Sequence, residues 1–197
     1  MLNRDTMSID FEMTRHQLEN LNGHRSLCLW FTGLSGAGKS TLANALQQRL
    51  HALQIHTYLL DGDQLRQGLN RDLGFNSQDR KENVRRTAEV AKLFMHAGYV
   101  AISALISPFE HDRSMARGLF NTGDFIEIFV DCPIETCIER DPKGLYKKAQ
   151  SKMIPEFTGI SSPYEEPKNP EIIVNTAQWT VDECVQHILN YVILRLH

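Results

Sequence analysis

The run Gly33-Leu34-Ser35-Gly36-Ala37-Gly38-Lys39-Ser40, followed by Thr41, sets glycines, a lysine and a hydroxyl at the spacing of a phosphate-binding loop. Glycines let successive backbone N–H groups turn toward one anion, which a Cβ would obstruct. Lys39 adds a mobile positive charge for β- and γ-phosphates, and Ser40 offers a hydroxyl to Mg²⁺. The apolar run Leu27-Cys28-Leu29-Trp30-Phe31 reads as a buried strand entering the loop. Leu42, Leu46, Arg49 or Leu50, and Leu53 follow at helical spacing. A glycine-rich turn matching by chance would lack that context. The stretch implies a nucleoside triphosphate site.

A second group of chemically able residues follows the next strand. Ile55 to Leu60 reads as that strand and ends in Asp61-Gly62-Asp63, which puts the carboxylates at the C-terminal edge of a sheet, where α/β proteins bind ligands. Asp61 has two readings, a carboxylate behind Mg²⁺ or a helix N-cap. Arg66, Arg80, Asn83, Arg85 and Arg86 gather around Phe75. Planar guanidinium groups suit bidentate contacts to phosphate-like oxygens. For Arg85 and Arg86 a solvated, salt-bridged helix face competes with that role. Phe75 and Phe157 could stack on a base or fill a core.

These residues need a frame, and 197 of them suffice for one well-buried domain. The apolar and charged fractions, 42% and 23%, are those of an ordinary globular chain. A net charge of −3 gives no electrostatic case for a nucleic acid partner. No apolar run reaches membrane-spanning length and the start lacks a signal peptide's apolar core, so a cytoplasmic protein without a membrane partner is expected. Cys28, Cys132, Cys137 and Cys184, without CxxC spacing, are expected to be reduced and semi-buried.

Residues 1–13 are polar and expected to be irregular and mobile. Thr14 to about Leu21 reads as a short helix, so residues 1–22 form an extension and 23–197 the domain. Gln64–Leu69 gives one or two helical turns. Ser77 is expected to cap a long helix ending near Gly98, with Val84, Ala88, Ala91 and Met95 on one face. Strands are expected over Tyr99–Leu105, Phe125–Val130 and Glu171–Asn175, with a helix over roughly 110–120 and another whose first turn holds Pro133. Thr180 and Glu183 make a capping box for a last helix whose stripe of Val181, Cys184, Val185, Ile188, Leu189, Val192 and Leu196 is core. Residues 141–170 look irregular and functional, with a lid over about 141–162. The alternation implies a single three-layer α/β domain, a parallel sheet with helices on both faces.

A phosphate loop leaves the reaction open. The guanine-reading Asn-Lys-x-Asp motif of GTPases is absent, and large ATPases exceed this length, which points to a small-molecule kinase. A kinase for a nucleoside monophosphate or sugar acid, or a nucleotide-gated regulatory protein without turnover, are the alternatives. The ordered series Gly33–Thr41, Asp61-Gly62-Asp63, Asp72-Leu73-Gly74-Phe75, Asp79-Arg80-x-Glu82-Asn83-x-Arg85-Arg86, Ile106-Ser107-Pro108, Lys143 to Ala149 and Phe157-Thr158-Gly159-Ile160 resembles the adenylylsulfate (APS) kinase family from about Gly23 to the end.

The resemblance implies transfer of the γ-phosphoryl of ATP, with Mg²⁺, to the 3′-hydroxyl of APS, giving 3′-phosphoadenylylsulfate (PAPS). It implies APS contacts from Arg66, Arg80, Asn83, Ile106, Ser107 and Lys143, an adenine sandwich of Phe75 and Phe157, and a lid over the Lys143–Ile160 region. On that reading Lys39 and the loop from Gly33 to Thr41 take the ATP phosphates, and Ser40 takes Mg²⁺ with Asp61 behind it. Asp63 orients and deprotonates the sugar hydroxyl. Ser107 matches the family's phosphoserine position, where a covalent relay or a plain hydrogen bond would serve. The family commonly has Asn after Asp-Gly-Asp, where this chain has Gln64. A homodimer is implied, and ATP sulfurylase is expected as a separate upstream enzyme.

Overall fold

Among the described residues, five short apolar segments pair into one sheet: β1 (Cys28–Thr32), β2 (Thr57–Asp61), β3 (Val100–Ala104), β4 (Phe125–Asp131) and β5 (Ile172–Asn175). The computed structural model describes residues 13–197. The expectation for residues 1–13 therefore falls, but for Met13, outside the described residues. The strand order is β2-β3-β1-β4-β5 and every neighbouring pair is parallel. β1 and β3 are buried along their whole length, as strands covered on both faces must be.

The covering helices are α1 (Arg15–Asn22), α2 (Lys39–Ala52), α3 (Gly62–Gln67), α4 (Ser77–His96), α5 (Glu110–Arg117), α6 (Ile134–Arg140), α7 (Leu145–Gln150) and α8 (Val181–Leu196). Alternate residues of β1 serve two cores. Leu29 and Phe31 pack with Leu42 and Leu46 of α2 and Ile188 and Val192 of α8. Cys28 and Trp30 pack with Val84, Ala88, Ala91 and Met95 of α4. All four cysteines are free thiols and buried. α1 is fastened by Arg15, whose guanidinium reaches both carboxylate oxygens of the buried Asp124.

The phosphate loop lies in the middle of the C-terminal edge because β1 is the central strand. It is wedged there. A Cβ on Gly33, at φ +149°, would lie 2.6 Å from the Val130 carbonyl oxygen, and one on Gly36 would lie 3.0 Å from that of Cys137.

Four local expectations need correction. The N-cap of α4 is Asn76, whose side chain accepts from Asp79 N at 2.8 Å, so Ser77 is the first helical residue. Asn caps as well as Ser and sits one position earlier. The stretch 141–170 contains α7, where the Asp141 carboxylate takes Tyr146 N and Lys147 N at 3.1 Å each. A six-residue helix is too short to show a periodic stripe. Val181 is 43% exposed rather than core, because the first turn of α8 borders a cavity. Pro133 is the N-cap of α6, one place before its first turn.

Candidate active site

The loops after β1, β2 and β3 and the segment around α7 border one cavity of about 1250 Å³. Along its loop wall, Lys39 Nζ donates to the carbonyls of Gly33 at 2.9 Å and Leu34 at 2.7 Å. Burial pulls its pKa down to about 8, and Lys143 pushes the same way against the carboxylates of Asp63 and Asp61. A desolvated ammonium held only by neutral carbonyls is poised for an anion.

The Asp61 carboxylate works as a helix N-cap, and its second oxygen is turned to the phosphate loop. One oxygen caps α3, accepting from Asp63 N at 3.0 Å and Gln64 N at 3.4 Å. The other accepts from the Ser40 hydroxyl at 2.6 Å. That bond takes the hydroxyl proton and leaves the Ser40 lone pairs free. Mg²⁺ keeps several waters and takes one or two protein groups beside substrate phosphates, so this hard-oxygen pair fits it.

Across the cavity, Arg66 lies 4.3 Å above the Phe75 ring and donates to the carbonyls of Leu73 and Gly74. Arg80 donates to the carbonyls of Phe75 at 2.6 Å and Glu156 at 2.8 Å. Burial lowers the pKa of both, and Arg66 adds repulsion on Arg80. Among the described residues neither guanidinium forms an ion pair with a carboxylate. Asn83 accepts from Asn70 at 2.9 Å, fixing which way its amide faces. Arg85 and Arg86 are different. Both pair with Glu82 on their own helix, and Arg86 also grips Asp72, so Arg86 staples the Asn70–Phe75 loop to α4. They do not line the cavity.

Asp63 is exposed at the cavity and is ion-paired with Lys143. Phe75 is 54% exposed, whereas Phe157 is buried edge-on against Tyr146 with centroids 5.0 Å apart. Ile106 reaches the cavity and its carbonyl accepts from Thr32 Oγ1 at 2.7 Å.

Ser107 is the strained member, a non-glycine residue at φ +38°. Its hydroxyl accepts from the Trp30 indole at 3.1 Å, and its carbonyl accepts from the buried Arg113 at 2.9 Å. An indole N–H cannot take a proton, so nothing bonded to that hydroxyl would activate it as a nucleophile. Ser107→Ala is therefore expected to keep kinase activity within about tenfold, the effect of one neutral hydrogen bond. It should lose about 1–3 kcal/mol of stability by orphaning the indole. Steady-state rates and thermal melts check both. A folded but inactive variant, with a phosphoserine in wild type that chases into product, would restore the relay.

Comparison with known proteins decides the family. The adenylylsulphate kinase model matches residues 25–175. The chain belongs to the adenylylsulfate kinase family. Among family members, it is 58% identical over 179 residues to a probable adenylyl-sulfate kinase of Halalkalibacterium halodurans, covering 91% of this chain and 89% of that one. It is 56% identical over 182 residues to an adenylyl-sulfate kinase of Marinobacter nauticus, covering 92% of each. It also superposes with a TM-score of 0.83 on the APS kinase of Mycobacterium tuberculosis, solved in complex with AMPPNP and APS. Those two are 44% identical over 86% of this chain and 98% of the other.

The cavity of this adenylylsulfate kinase family member is also lined by residues the sequence reading did not single out. Arg140 donates to Thr176 O at 2.6 Å, and Thr176 Oγ1 donates to Ala37 O at 2.8 Å. With Trp179 they border the cavity beside the phosphate loop. The link between α6 and the β5–α8 turn is non-local, so no spacing in the chain announces it.

Proposed function

We propose that this chain transfers the γ-phosphoryl group of ATP to the 3′-hydroxyl of APS, releasing ADP and PAPS. One observation carries the reading. A single cavity has a phosphate loop on one wall and, on another, two guanidiniums without carboxylate partners among the described residues, beside an exposed aromatic ring.

Phosphoryl transfer has a loose transition state, so position and charge neutralisation matter most. Lys39 and the amides of Gly33 to Thr41 take the β- and γ-phosphates. Ser40, oriented by Asp61, would hold Mg²⁺, which would supply neutralisation of phosphate charge. Arg66 and Arg80 hold the phosphosulfate, with Asn83, Ile106 and Ser107 at its edges. Phe75 and Phe157 hold the adenine. Asp63 releases Lys143 to the anionic acceptor and accepts the proton of the 3′-hydroxyl. The O3′–Pγ bond forms as the bond from Pγ to the bridging oxygen of ADP breaks. The homodimer and the lid over about 141–162 belong to the same proposal.

Incubation with ATP, Mg²⁺ and APS should give ADP and PAPS in equal amounts, and AMP in place of APS should give neither. Phosphorylation of AMP as fast as APS would favour a different nucleotide kinase. ADP release without a phosphorylated nucleotide would overturn both.

Phe75→Ala should weaken APS binding by about ten- to a hundredfold, since base stacking is worth roughly 1–3 kcal/mol. ATP binding and thermal stability should hardly change, because the ring is half in solvent. Phe157→Ala should lose APS affinity and also about 3–5 kcal/mol of stability, as a buried Phe does. Calorimetric titration with APS checks both. Unchanged APS affinity in the two variants would remove the adenine sandwich.

A further inference from the structure

Tyr146, in the first turn of α7, is fully buried yet touches both sides of the site. Its hydroxyl donates to the Ser35 carbonyl at 2.9 Å, and its ring packs at 78° against Phe157. The carbonyl of Ser35 and the N–H of Gly36 belong to one trans peptide plane and point in opposite directions. A donor that holds the carbonyl outward therefore aims the Gly36 N–H inward, toward a bound phosphate. Gly36 at φ +77° has the left-handed backbone that such an anion-binding nest requires. Burial, reinforced by the neighbouring Cys137, raises the Tyr146 pKa, so the phenol remains a donor.

We infer that Tyr146 is a positioning residue that couples the phosphate loop to the acceptor pocket through the Ser35 carbonyl on one side and the Phe157 ring on the other. A phosphate on the Gly36 N–H polarises that peptide and strengthens the bond from Tyr146. A loop ordered by nucleotide gives α7 a fixed partner, and the fixed Tyr146 ring sets where Phe157 stands. The acceptor then binds a pocket already ordered. Asp141 caps α7 at Tyr146 N and Lys147 N, so the helix moves with Tyr146 as a unit. The inference rests on the proposed reading of the two substrates, ATP at the loop and APS beside Phe157.

The test is Tyr146→Phe, which removes one oxygen and keeps the ring. Calorimetry would give AMPPNP·Mg²⁺ affinity without APS, and APS affinity with and without AMPPNP·Mg²⁺. Wild type should bind APS more tightly with the nucleotide present. In Tyr146→Phe the nucleotide affinity should fall about three- to tenfold, the range of one neutral hydrogen bond. The factor by which nucleotide tightens APS binding should shrink by a similar amount, while APS affinity for the nucleotide-free protein holds within twofold. By linkage the same factor must appear when the order of addition is reversed. Equal coupling in the two proteins would overturn the inference. So would an APS affinity that falls equally with and without nucleotide, the mark of a merely structural tyrosine. If wild type bound AMPPNP but not APS, the acceptor assignment itself would fall and the coupling with it, a pattern distinct from both.

Discussion

Lys39→Ala is expected to bring phosphoryl transfer below detection, a loss of at least about 10³-fold, with the fold intact. The loss is large because the ammonium meets charge that grows on the transferred group, and loop amides carry only partial charges. The fold should survive because Nζ rests on two loop carbonyls at the cavity wall, where water can replace it. Turnover and circular dichroism check the two halves, and near-normal turnover in a folded variant would remove the phosphate loop from the mechanism.

The same lysine sets a pH dependence. Burial has lowered its pKa to about 8 in the free protein, and phosphate would raise it by favouring the charged form. Nucleotide affinity should therefore be level below about pH 8 and fall as pH rises above it, while the free protein sheds the proton that binding needs. Lys39→Arg, which does not titrate there, should lack that fall. The depressed value also means that the charged form is penalised on folding. That penalty is complete well below pH 8 and relieved as the lysine deprotonates above it.

Asp63→Asn is the second large effect, a fall in kcat of about 10²–10⁴-fold. The amide keeps the shape of the carboxylate and can still touch the 3′-hydroxyl, but it cannot take the proton. Stability should barely move. The pair with Lys143 is more than half exposed on both sides, and such pairs contribute at most about 1 kcal/mol. Single-turnover rates at saturating APS separate this from weaker binding. A rate within tenfold of wild type would leave Asp63 as an orienting group only.

What could be read from the chain alone follows a physical line. The placement of the phosphate loop, Asp61 and Asp63 at one sheet edge was legible because strand, turn and motif are contiguous. The apolar stripe of α4 is buried where its spacing puts it. α7 was not legible, since its helix depends on the Asp141 cap more than on any repeat. For Arg85 the sequence left a salt-bridged helix face and an anion contact open, and the partner decides, Glu82 on the same helix, where Arg66 has the Phe75 ring. The Trp30–Ser107 bond spans 77 positions, a separation that no local pattern encodes.

The wedge at Gly33 changes what a glycine-rich signature attests. Its missing side chain is demanded by the Val130 carbonyl of the neighbouring strand, and Gly36 is crowded by a carbonyl of α6. Neither crowding involves a ligand. A descendant that had given up turnover would still need small residues there to keep its sheet together, so those glycines would outlast the activity. Lys39 has no such architectural duty. Among the residues of the motif, it is the lysine whose loss would first betray a chain that no longer works on phosphate.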